Sequence, residues 1–125
     1  MINGIGWFEI YVTNLARAKS FYETVFDVEL EAISPPDAGA LTMLQFPSRL
    51  DMYGCGGAIV HYEGCQSGGN STVVYFSCDD CAVEESRVEA AGGRVEQSKF
   101  PIGEHGFVSH VLDSEGNMIG LHSQQ

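Results

Sequence analysis

The chain has 125 residues, enough for one domain that buries roughly two-thirds of its unfolded surface. Seventeen acidic against six basic residues give a formal charge of −11, which argues against nucleic acid or an anionic membrane surface as a partner. The start of the chain has neither a charged leader nor an apolar segment, and no apolar run reaches membrane-spanning length, so the expectation is a soluble cytoplasmic protein whose four cysteines are thiols.

The first element is a strand. From Trp7 to Val12 the residues alternate, with Phe8, Ile10 and Val12 on one face and Trp7, Glu9 and Tyr11 on the other. Asn14 is a suitable N-cap for the helix that follows, "LARAKSFYETVF". Leu15, Ala18, Phe21, Tyr22, Val25 and Phe26 form its apolar stripe at helical spacing, which reads as core. Two strand segments, "VELEAIS" and "LTMLQF", flank a Pro35–Gly39 break, and a third, "GAIVHY", follows a Gly- and Pro-rich loop. The stretch "EGCQSGGNS" reads as a flexible linker. Its sequon Asn70-Ser71-Thr72 matters only in a secreted chain.

Beyond the linker the order starts again. "STVVYFSC" is a strand, Asp79 or Asp80 caps a helix "CAVEESRVEAA", and Gly92-Gly93 ends it. "GRVEQSKF", "HGFVSHVLD" and "NMIGLHS" are strands. The last two are joined by a "DSEGN" turn, in which Gly116 and Asn117 suit positive φ. The shift that lays Phe8 on Val74 also lays Ile10 on Phe76, Val12 on Cys78 and Asn14 on Asp80. The chain is therefore an internal repeat of strand–helix–strand–strand–strand, the first module over about residues 1–64 and the second over about 70–125. Trp7, Glu9 and Tyr11 fall on Val73, Tyr75 and Ser77, on the face of each sheet opposite the helix. That face is partly polar and aromatic, so it is expected to line a cavity or a wet interface.

The residues "FEIYVTNLARAKSFYETVF", Gly56-Gly57 ahead of a strand, "VYFSCDD", "RVEAAGGRV" and above all "LDSEGNMIGLHS" resemble the vicinal oxygen chelate superfamily, which includes glyoxalase I, extradiol dioxygenases and the bleomycin and fosfomycin resistance proteins. The resemblance runs over essentially the whole chain and is nearest to small glyoxalase-like bacterial proteins. It implies an α+β fold of two βαβββ modules curled around a shared cavity, and commonly a homodimer. In metal-dependent members four ligands come from the first and last strands of the modules. Matched strand by strand, those positions are Trp7, about Val60, Val73 and Gly120, none of which can bind a metal. No cofactor is therefore expected. The alternative is a divalent metal displaced onto Glu9 and His122, with water or Tyr75 completing the set.

The same matching puts Glu9 two residues beyond Trp7 on the cavity side, with Tyr62, Tyr75 and His122 in corresponding places. The expected cavity is lined by Trp7, Glu9, Tyr11, Tyr62, Tyr75, Met118 and His122. A carboxylate desolvated against these rings would have its pKa raised toward a general-base range, and with His122 it could move protons in an enolisation or epimerisation. The plainer reading is that Glu9 accepts a tyrosine hydroxyl in a wet pocket. Two function classes follow. One is a metal-independent lyase or isomerase acting on a small oxygenated metabolite through Glu9 and His122. The other is a non-catalytic protein that sequesters an aromatic or amphiphilic small molecule, with the cavity rings favouring flat ligands by stacking.

The remaining chemistry-bearing residues read as structural. His61 faces away from the cavity, His105 opens a strand at its rim, and the facing of His110 is open. Cys78 and Cys81 have C-x-x-C spacing but no second close pair, and their acidic flank disfavours a thiolate, so they read as small core residues. "DSEGN" lacks the length and terminal glutamate of an EF-hand loop.

Overall fold

A computed structural model describes residues 1–33 and 41–125. The first half supplies β1 (Trp7–Tyr11), α1 (Leu15–Phe26), β2 (Glu31–Ile33), β3 (Thr42–Gln45) and β4 (Gly56–His61). The second supplies β5 (Val74–Ser77), α2 (Cys81–Glu85), β6 (Arg94–Pro101), a short 3-10 turn (Gly103–His105), β7 (Phe107–Leu112) and β8 (Met118–Ser123). Each half folds one four-stranded sheet, in the orders β1-β4-β3-β2 and β5-β8-β7-β6. In both, the first strand runs parallel to the last and the remaining pairs are antiparallel. The α+β architecture of two βαβββ modules expected from the sequence is the one observed. Among the described residues no helix is long and apolar enough to cross a membrane.

Local chemistry explains the element ends. Asn14 caps α1 by accepting the Arg17 amide at 3.0 Å, and Asp80 rather than Asp79 caps α2 by accepting the Ala82 amide at 3.0 Å. The regular part of α2 stops at Glu85. Beyond it Arg87, Val88 and Gly92 each bond the carbonyl three residues back, so the predicted longer helix tightens into turns. Strand β2 is shorter than "VELEAIS", and the Pro35–Gly39 break lies outside the described residues.

Both helix-side faces pack into one core. It joins Ile10, Val12, Phe21, Tyr22 and Ile59 from the first half to Val88, Val111, Ile119 and Leu121 from the second. Aromatic rings cross the junction: Phe8 meets Phe76 edge-on at 5.8 Å, and Phe46 lies 5.4 Å from Phe76. A Cβ at Gly57 would sit 2.3 Å from the Phe8 ring, which crosses β4 at that point. Cys81 is buried and Cys78 half-buried. Burial, reinforced by the nearby Glu84 carboxylate, pushes the Cys78 thiol up to about 12, so it stays protonated.

The β7–β8 turn fastens the halves together. Asp113 is buried and accepts hydrogen bonds from the Tyr22 hydroxyl at 2.6 Å and from the Glu115 and Asn117 amides. Glu115 reaches the start of α1, where it accepts the Thr13 and Asn14 amides at 3.1 and 2.8 Å and pairs with Arg17 at 2.6 Å. Gly116 takes the positive φ, 81°, expected of the turn. Asn117 does not. Its backbone is ordinary and its side chain is the functional part, with Nδ2 donating to the Tyr11 carbonyl at 3.0 Å.

Candidate functional site

The alternation of β1 turns Phe8 and Ile10 to the core and leaves Trp7, Glu9 and Tyr11 exposed on the far face. Asn117 then draws the start of β8 to the end of β1. A cleft of about 250 Å³ opens there, lined by Glu9, Tyr11, Asn70, Thr72, Asn117 and Met118 among others.

Glu9 is held by its strand neighbours. The Trp7 Nε1–H donates to its Oε2 at 3.1 Å, and the Tyr11 hydroxyl donates to its Oε1 at 2.9 Å. Residues i and i+2 share a face of a strand, which is why one carboxylate collects both donors. The Tyr11 phenol is raised above its ordinary value, first by that hydrogen bond and then by burial and the Glu9 charge, so it remains a proton donor to the carboxylate. Tyr62 meets Tyr11 edge-to-face at 5.8 Å. Trp7, Tyr11, Tyr62 and Tyr75 are each 38–49% exposed, leaving ring surface open to a ligand. The desolvation expected at Glu9 is not observed. The side chain is exposed, and the plainer reading, a carboxylate accepting a tyrosine hydroxyl, describes its geometry.

Of the residues singled out from the sequence, Glu9, Tyr11 and Met118 line one cleft, with Trp7 bonded to Glu9 and Tyr62 packed on Tyr11. Tyr75 and His122 belong to the second sheet and have partners of their own. The Tyr75 hydroxyl lies 2.7 Å from His110 Nε2, which settles the facing of His110. The Tyr75 ring lies across Gly120, where an added Cβ would be 2.2 Å from Cδ1. His122 Nε2 lies 2.7 Å from the His105 carbonyl, which can only accept, so Nε2 carries the proton. No hydrogen bond joins His122 to Glu9. His105 sits in the 3-10 turn rather than opening β7. His61 is turned from the cleft, with Nδ1 2.9 Å from the Val12 carbonyl.

The segment read as a linker is part of the site. Ser67 donates to the Glu115 carbonyl at 2.9 Å, and the Gly68 amide donates to Asn117 Oδ1 at 2.6 Å. Asn70 bonds the Met118 backbone in both directions, accepting its amide and donating to its carbonyl at 3.0 Å each. Gln66, Gly68, Asn70 and Thr72 thereby become a wall of the cleft. Gly- and Ser-rich composition signals freedom in an isolated peptide, whereas here small polar residues fit between two fixed partners. The side-chain amides of Gln66 and Asn70 were the available clue.

The strand register also tests whether the family's chelated metal fits. Glu9 pairs with Ala58 as Tyr75 pairs with Gly120, so Ala58, not Val60, is the first-module counterpart of Gly120. The four positions are then Trp7, Ala58, Val73 and Gly120. Indole, methyl, isopropyl and hydrogen provide no lone pair for a cation, and the Tyr75 ring fills the space beside Gly120. The residues do not fit the group. Among the described residues no set of three His, Cys, Asp or Glu side chains converges elsewhere.

The model of the Glyoxalase/Bleomycin resistance protein/Dioxygenase superfamily matches residues 4–121. No curated protein matches the sequence. Among solved structures, glyoxalase I from Zea mays superposes with a TM-score of 0.73 at 17% identity, over 94% of this chain but 45% of that one, so the chain spans less than half its length. An antibiotic-binding protein from Streptomyces sp. CB03234 superposes with a TM-score of 0.71 at 22% identity, over 99% of this chain and 98% of that one. A glyoxalase-related enzyme from Fulvimarina pelagi gives 0.69 at 13% identity, over 98% and 88%. Likenesses at these identities establish the fold.

Proposed function

From the premise that the chain belongs to the glyoxalase/bleomycin resistance protein/dioxygenase superfamily, we propose that it binds a small organic molecule in the cleft between its sheets, with Glu9 as a recognition group. One observation carries this reading: both Glu9 oxygens are held by Trp7 and Tyr11, which fixes the carboxylate as a charged anchor beside exposed rings. A Glu9–His122 acid–base pair has no contact to support it, because His122 Nε2 lies against the His105 carbonyl instead. The similarity in size and fold to an antibiotic-binding protein is consistent with sequestration without turnover. A metal-independent lyase or isomerase is the second reading, favoured by the Tyr75–His110 contact on the second sheet.

The test begins with a thermal-shift screen of small molecules and continues with Glu9→Gln, which keeps volume but removes charge. Affinity for a screened hit is expected to fall at least tenfold, about 1.4 kcal/mol, with the melting temperature of the free protein unchanged. Intact affinity in Glu9→Gln would remove the carboxylate from the site.

The cleft is also proposed to work without a bound transition metal, on the strength of the donor-free positions described above. Chelator treatment is expected to leave the melting temperature unchanged, with less than one transition metal per chain by elemental analysis. One tightly held zinc, nickel or iron per chain would overturn this. A homodimer belongs to the same reading, supported by the exposed apolar side chains of Ile2 and Ile5. Light scattering on the eluted protein reads its mass directly.

A further inference from the structure

The charge around Glu9 narrows the chemistry of what the cleft takes. All six lysine and arginine side chains are engaged away from it. Arg17 pairs with Glu115, Lys19 with Glu23, Arg49 with Asp51, Arg94 with Glu96 and Lys99 with Asp80, while Arg87 donates to the Val25 carbonyl. The two groups that do hold Glu9 are neutral donors. They orient the carboxylate and leave its charge uncompensated, in a chain whose formal charge is −11.

Lone-pair accounting leaves room for more. A carboxylate has about four acceptor sites, and Trp7 and Tyr11 use two. A further donor can reach Glu9 without displacing either. The other side-chain acceptors of the cleft are neutral: Asn70 Oδ1 already takes the Met118 amide and Asn117 Oδ1 the Gly68 amide, and Gln66 and Thr72 bring only an amide and a hydroxyl. The anionic acceptor of the cleft is therefore Glu9, and it stands beside the half-exposed rings of Trp7 and Tyr11, a ring type whose faces attract positive charge by their quadrupoles. A volume of about 250 Å³ suits one substituted ring, since a cavity of about 150 Å³ holds benzene.

Resting on the small-molecule reading above, we infer that the cleft selects an organic cation: an ammonium or amidinium group on a flat apolar body, its positive end on Glu9 and its ring against Trp7 and Tyr11. An anion of the same shape is repelled by Glu9 and by the net charge. A neutral hydroxyl isostere gains the ring contact and one uncharged hydrogen bond to Glu9, without the charge attraction.

Three shape-matched probes test this on the intact chain: phenethylammonium, 2-phenylethanol and 3-phenylpropionate. Trp7 is the chain's single tryptophan, so its fluorescence and its indole N–H resonance report on this site alone. Phenethylammonium is expected to bind at least tenfold more tightly than the alcohol, with the carboxylate weakest. Added salt should shrink the advantage by screening an exposed pair. Glu9→Gln should abolish it, and an unchanged melting temperature of the free variant verifies that it folds. Equal affinity for ammonium and alcohol would overturn the cation inference and leave the small-molecule reading standing. An ammonium advantage that survives Glu9→Gln would overturn the assignment to Glu9. If none of the three perturbs Trp7, both readings fall.

Discussion

Replacing Glu115 with alanine is expected to cost about 2–4 kcal/mol of folding stability, the scale for leaving two backbone donors without their acceptor. Its side chain is fully buried, and its two oxygens accept from the Thr13 and Asn14 amides, from Arg17 and from the Ser114 hydroxyl. Those amides open α1, whose N-terminus favours a negative charge. Alanine strands the two backbone donors, while the half-exposed Arg17 guanidinium turns to water. Arg17→Ala should cost clearly less, because that side chain is 55% exposed and Glu115 keeps its amide donors. The pH dependence follows from the same contacts. Burial alone would raise the Glu115 carboxyl, but Arg17, the Asn14 amide and Ser114 outweigh it and hold it below the ordinary glutamate value. A lowered folded-state value means that this stability is present above the unfolded glutamate range, near about pH 4.3, and is lost as pH falls through the folded value. Glu115→Gln should flatten that acid limb. Urea denaturation measures both effects, and a loss below about 1 kcal/mol for Glu115→Ala would mean that the turn does not hold the halves together.

Truncating the core face of β1 is the second large effect. Ile10→Ala and Phe8→Ala should each cost about 2–5 kcal/mol. Ile10 is 7% exposed, and Phe8 packs on Phe46 and Phe76, so its loss loosens both sheets at once. Tyr11→Ala should cost clearly less, since the ring is 38% exposed and its main partners are Glu9 and Tyr62. A reversed ranking would exchange the two faces of β1 and dismantle the cleft assignment.

What could be read from the chain follows from the range of each interaction. The faces of β1, the Asn14 cap, the stripe of α1 and the repeat are written in neighbouring residues, so periodicity exposes them. The β7–β8 turn looked like a turn and no more. Its carboxylates and amide act on Tyr11, Thr13, Asn14, Arg17 and Tyr22, about a hundred positions earlier, and nothing local marks such a pairing. The polar wall from Gln66 to Thr72 was hidden for the same reason. The Tyr75–His110 contact joins β5 to β7 across β8, so the orientation of His110 depends on a sheet order that its own segment does not encode. Glu9 was placed on the correct strand face, but its exposure depends on how far the sheets stand apart, which alternation does not measure.

The Tyr75 ring lying across Gly120 acts as a steric lock on that position. A glutamate introduced at position 120 would collide with that ring, since even its Cβ would lie 2.2 Å from Cδ1. The ring would have to swing out, and its hydroxyl would have to release His110. Trp7, Ala58 and Val73 would still offer nothing to coordinate, so a single carboxylate placed at position 120 costs packing and returns no metal affinity. Installing a chelating set would take several substitutions made together, none of which helps alone.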